Sequence, residues 1–161
     1  MSTKEADNVR HVCFAPTRAA GARLEFRAAG ARLEKAERRI KLVLIQQIRL
    51  TAGGFRTILE NLFAVRDDPA IADAWTAAID AKRKTFDIAF AAIPCRTEGC
   101  LCQGLVDQAC DATERIEDML RIELARAAHG IAPSADSREL EAAIITKFVQ
   151  LENCLAGMEC A

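Results

Sequence analysis

The chain contains no tyrosine, a single tryptophan (Trp75), two histidines and three serines. Strand-favouring residues are sparse, and no segment alternates apolar with polar residues over a strand length, which argues against a sheet. The serines are Ser2, Ser134 and Ser137, and none lies in a G-x-S-x-G nucleophile motif. There is no P-loop and no G-x-G-x-x-G dinucleotide fingerprint. His11 and His129 are the whole supply of ordinary general bases near neutral pH. Catalysis therefore lacks visible parts, and we read the chain as non-enzymatic.

Long apolar runs are missing too. The strongest, Leu42-Val43-Leu44-Ile45, is far short of the ~20 residues that a transmembrane helix needs. The first residues carry Lys4, Glu5 and Asp7 where a signal peptide would have its apolar stretch. These two absences lead us to expect a cytoplasmic protein, in which thiols stay mostly reduced. Seven cysteines is an odd number, which also speaks against a complete disulfide framework.

What is present is helix-forming material. The 161 residues fit one domain, and 51% hydrophobic with 28% charged residues is an ordinary globular balance. Ala, Leu, Arg and Glu dominate, all good helix formers. Charge is uneven: Met1 to Arg66 holds 13 Lys/Arg and 6 Asp/Glu, whereas Asp67 to Ala161 holds 9 and 17. Such asymmetry suggests that one part docks on the other, within a chain or between chains, or that the basic part meets an anionic partner.

Residues 1–15 read as a loosely held arm, and 16–161 as one helical domain. The first helix is expected over Thr17 to Ala52. It contains a tandem repeat, Arg18-Ala-Ala-Gly-Ala-Arg-Leu-Glu25 and Arg27-Ala-Ala-Gly-Ala-Arg-Leu-Glu34. A nine-residue period turns a helix by about half a revolution, so the copies face opposite ways and do not make a solenoid. Across them runs a seven-residue spacing: Ala19, Phe26, Leu33 and Ile40 in one row, Ala22, Ala29, Ala36 and Val43 in the other. This is a coiled-coil seam. Arg23, Arg27, Arg32, Lys35, Arg38, Arg39 and Lys41 fall off it as a broad basic face. Gly53-Gly54 reads as a break or kink, followed by Phe55, Ile58, Leu59, Leu62 and Phe63 at helical spacing.

Asp68-Pro69 opens the next helix, Asp68 as N-cap and Pro69 at the first position. Its stripe is Ala72, Trp75, Ile79, Lys82, Phe86, Ala89 and Ile93, with Pro94 ending it. Lys82 is the misfit there: its stem can follow the apolar seam with the ammonium in water, or the amine can be desolvated. A further helix runs from Gly104 to His129, with Leu105, Ala109, Ile116, Met119, Leu120 and Leu124 on one face. Asp107, Asp111, Glu114 and Asp118 lie on the other and read as a solvated face. Gly130 suits a left-handed C-cap, with Ile131 packing back and Pro133 preventing continuation. The last helix starts near Asp136, with Glu139 as a capping-box partner. It carries Leu140, Ile144, Phe148, Leu151, Leu155 and Met158, and Gly157 is expected to fray or stop it. The fold class is thus all-α: an antiparallel bundle of about four helices with a long, kinked first helix.

The sharpest chemical cluster is Cys95, Cys100, Cys102 and Cys110. Four thiolates at that density can hold Zn or Cu(I) in a tetrahedron. They can equally be small core residues and incidental thiols, or a redox pair, for which Cys95 with Cys100 or Cys102 is the better choice. His11 and Cys13 could add ligands if the arm folds back, and His129 suits a helix C-terminus.

Three functional readings follow. The leading one is a self-associating adaptor or regulatory module that pairs through Phe26, Leu33, Ile40 and Val43, its partner being itself or another helical protein. A helix of 36 residues, about 54 Å long, is hard to bury against shorter neighbours of its own chain. The second is a thiol-based metal or redox sensor at the cysteine cluster. The third is a nucleic-acid-associated protein using Arg23, Arg27, Arg32, Arg38 and Arg39, although no aromatic residue interleaves them.

Overall fold

Ile144, Phe148, Leu151, Leu155 and Met158 recur every three or four residues and are all buried, because that spacing keeps one face of a helix on a shared core. The same holds for Ile79, Phe86, Ala89 and Ile93, and for Ala109, Ile116, Leu120 and Leu124. A computed structural model describes residues 18–95 and 101–160, with side chains from Glu25 onward apart from those at 63, 66 and 101. Residues 1–17, including His11 and Cys13, lie outside it, as do Cys100 and the side chain of Arg23.

The described elements are all helical: α1 (Arg18–Glu60), α2 (Leu62–Asp67), α3 (Ile71–Ala92), α4 (Leu101–Ala128) and α5 (Ala135–Cys160). The protein is an all-α bundle of four long helices, with α2 a short link. The chain divides into two units, Met1–Ala36 and Glu37–Ala161.

Within the second unit, side-chain contacts order the helices. Arg49 of α1 pairs with Glu152 and Glu159 of α5, and the Arg56 guanidinium lies 5.1 Å from the Phe148 ring centre. Phe55 of α1 meets Phe86 of α3 at 5.4 Å between centroids. Arg83 and Arg121 tie α3 to α4, and Lys147 reaches from α5 to Asp111 of α4 at 3.7 Å. Residue numbers rise on one helix as they fall on the next, so neighbours run antiparallel: α1 beside α3 and α5, and α4 closing the ring.

Gly53-Gly54 does not break α1, which runs through to Glu60. Ala52, Phe55 and Ile58 around the pair are buried, and burying one Phe is worth ~2–3 kcal/mol, more than the ~1 kcal/mol that a mid-helix glycine loses. Gly54 also makes room, since a Cβ there would collide with the Lys82 side chain. Gly157 likewise does not stop α5. A Cβ on it would stand 3.0 Å from Leu105 Cδ1, so the glycine lets α4 and α5 approach closely.

The ends of the helices differ from expectation in detail. α3 begins at Ile71 rather than Pro69. Asp68 Oδ1 accepts from the Ala70 amide at 3.1 Å, and tight turns at Asp68 and Pro69 feed the helix. α4 begins at Leu101, ahead of Gly104. Ser134, rather than the Asp136–Glu139 pair, caps α5 by accepting from the Ser137 amide at 3.3 Å. Gly130 does take the left-handed conformation, φ 65°, and the Ile131 amide donates to the Arg126 carbonyl at 3.0 Å. Ile131 itself stays half exposed and does not pack back.

Candidate functional site

Helix α1 carries two apolar faces, and only one belongs to the core. Ile45, Ile48, Ala52, Phe55 and Ile58 are buried, with Leu44 and Leu59 packed beside them. The Phe55, Ile58 and Leu59 part of this register was legible in the sequence; its continuation back to Ile45 was hidden because a second register overlaps it. The second is the seam of Phe26, Leu33, Ile40 and Val43, exposed by 83%, 61%, 53% and 66% respectively. Phe26 and Leu33 belong to the first unit, Ile40 and Val43 to the second.

Leu50, 70% exposed, extends the Val43 row by another seven residues. The seven-residue spacing from Val43 to Leu50 is the sequence signal for it. Val43, Gln46, Gln47, Leu50 and Thr51 line a groove of about 520 Å³ whose far wall is Lys82 of α3. The far end of the Lys82 side chain, from Cδ to Nζ, lies against Gly54, and the residue is half-buried. Arg27, Arg32, Arg38 and Arg39 are exposed on α1.

The acidic row on α4 is not simply solvated. Glu114 accepts from Arg83 of α3 at 2.7 Å, and Asp111 faces Lys147 of α5. Glu117, which the sequence did not single out, joins Arg83 at 3.5 Å and Arg121 at 2.8 Å. Hydrogen bonding to Glu114 pushes the Arg83 pKa up against the opposing effect of burial. These carboxylates hold helices together, and among the described residues no three His, Cys, Asp or Glu side chains converge as a metal ion needs.

The cysteine cluster separates. Cys95, just beyond α3, and Cys102, in the first turn of α4, place their sulfurs 3.2 Å apart, both half-buried. Cys110 does not complete a three-ligand set with them. Burial pushes the Cys110 thiol up, with Glu114 adding to it, and burial alone does the same for Cys154. Both thiols are thereby held in their less reactive form. Cys160 is exposed. His129 is exposed in the turn after α4, and its amide continues the helix by donating to the Ala125 carbonyl at 3.1 Å.

No helix among the described residues is long and apolar enough to cross a membrane. Comparisons with protein-family profiles, with characterised proteins and with solved structures found nothing that this chain matches.

Proposed function

We propose that the protein is a non-enzymatic self-association module whose contact surface is the outward row of α1. The observation that carries the reading is the exposure of Ile40, Val43 and Leu50 in the second unit and, separately, of Phe26 and Leu33 in the first, large apolar side chains whose sequence positions are heptad-related. Single exposed apolar residues are ordinary on a protein surface, but a regular row of them marks an interaction site. The heptad spacing favours a second helix as the occupant, because knobs-into-holes packing repeats every seven residues. A second copy of the chain has the matching period. In a parallel pairing, Arg32 at a g position would meet Glu37 at the e position of the second copy, an attractive combination. The small residues Ala29 and Ala36 of the second row permit close approach.

The double substitution Leu33→Asp with Ile40→Asp tests this. Both side chains are exposed in the single chain, so the bundle should fold as before. Sedimentation equilibrium under reducing conditions should show a multimer for the native chain and a monomer for the variant. A native chain that is monomeric, or a variant of unchanged mass, would remove the proposal.

A further inference from the structure

Two thiols stand at the corner where α3 ends and α4 begins, and nothing in the self-association reading uses them. Cys95 follows Pro94 at the close of α3, and Cys102 is the second residue of α4. Their sulfurs are 3.2 Å apart. A disulfide bond is about 2.05 Å long, so roughly 1 Å of sulfur movement separates the reduced pair from a bonded one, a distance that small side-chain rotations cover. Both residues are half-buried rather than sealed, so a small oxidant can reach them.

We propose that Cys95 and Cys102 are a redox modification site, closing to a reversible disulfide that ties the end of α3 to the first turn of α4 when hydrogen peroxide is the oxidant. One thiolate attacks a peroxide oxygen. The O–O bond breaks, and a sulfenic acid and one water result. The second thiol then attacks that sulfur, the S–O bond breaks, the S–S bond forms and a second water leaves. Two thiols lose two electrons and two protons, and one peroxide becomes two waters. A dithiol reductant reverses the change by exchange.

The selectivity has a physical basis. Cys154 is buried, and Cys110 is half-buried like the pair; what sets Cys95 and Cys102 apart is the 3.2 Å between their sulfurs. Cys160 is exposed, with no other described thiol beside it in the way that Cys102 stands beside Cys95. The proximity of a second sulfur turns a slow encounter between thiols into an intramolecular step.

The test uses the full native chain, reduced, then treated with one equivalent of hydrogen peroxide. Thiols that remain are blocked with one alkylating agent; the protein is then reduced and labelled with a second, and the labels are located by peptide fragmentation. The expected result is a loss of about 2 Da in the intact mass, the two thiol hydrogens, with the second label on Cys95 and Cys102. Cys100→Ser should leave that pattern intact. The second label on Cys100 in place of Cys102, a gain of oxygen without pairing, or pairing only between chains would each overturn the assignment. The readout is independent of the α1 row, so a monomeric protein and an unpaired Cys95–Cys102 site are separate failures.

Discussion

At the residue scale, two side chains show how burial decides what a polar group must do. Glu123 is 6% exposed on α4, and Arg126 one turn later donates to it at 3.0 Å. Arg126 also lies 3.4 Å from the Ser137 hydroxyl of α5. Arg126→Ala removes the partner of a nearly buried carboxylate and should destabilise the fold by ~1–3 kcal/mol. Removing both groups, in Glu123→Leu with Arg126→Ala, should destabilise it less. Urea denaturation of the single and double variants checks this, and additive losses would show that the pair is not coupled. Leu120, fully buried on α4, makes a simpler case: Leu120→Ala should lower stability by ~2–5 kcal/mol through lost transfer energy and a cavity. Gly53 predicts the opposite sign. A Cβ there meets nothing within 4 Å, and the helix is continuous, so Gly53→Ala should raise stability by ~1 kcal/mol. A fall in melting temperature would instead favour the break that the Gly-Gly dipeptide suggests.

At the scale of elements, the α3–α4 contact is a ladder of alternating charge. Asp80, Arg83 and Asp87 on one helix face Glu114, Glu117 and Arg121 on the other, with Arg121 2.5 Å from Asp80. Each pair is partly solvated, so each contributes little alone, and the shared arginines make the set a network. Arg83→Ala breaks contacts to Asp87, Glu114 and Glu117 together. It should lower stability by ~1 kcal/mol, and the loss should shrink at high salt, where screening weakens the native pairs. Thermal melts of both proteins at low and high ionic strength decide it; a salt-independent loss would point to the arginine stem's packing instead. Helix α1 differs in kind. Its buried face joins the bundle and its exposed row does not, so substitutions on the two faces should separate folding from association.

At the scale of the whole molecule, the charge imbalance along the sequence finds one intramolecular outlet in Arg49, which pairs with Glu152 at 2.7 Å and with Glu159. Hydrogen bonding to Arg49 holds the Glu159 carboxyl below its ordinary pKa. A carboxylate whose pKa is depressed on folding stabilises the native state fully above its unfolded pKa, ~4.3 for Glu, and that contribution disappears as pH falls through the lower folded value. The native chain should therefore lose stability below about pH 5 more steeply than Glu159→Gln does. Denaturant midpoints measured between neutral and acid pH check the slope, and parallel curves would show that the ion pair adds nothing. Arg38 and Arg39 of the second unit remain exposed, as do Arg27 and Arg32 of the first.

Much of this architecture was legible in residue order alone. The stripes of α3, α4 and α5 are helical periodicities, set by which side chains share a face within a few turns, and a period can be read without knowing the neighbour. The Gly130 cap is equally local, because it depends on one residue's freedom at positive φ. Other features needed the tertiary structure. Helix α1 holds two apolar registers, and only the positions of α3 and α5 select Ile45, Ile48 and Phe55 for the core and leave Ile40, Val43 and Leu50 outside. Of the cysteines between 95 and 110, it is the packing of one helix end against the next helix start that brings Cys95 to Cys102. Glycine has the same ambiguity: Gly54 and Gly157 look like breaks in a sequence, whereas in the bundle they are places where Lys82 and Leu105 come close. Local order states what a segment can be; contacts between segments distant in sequence determine which of its faces is used.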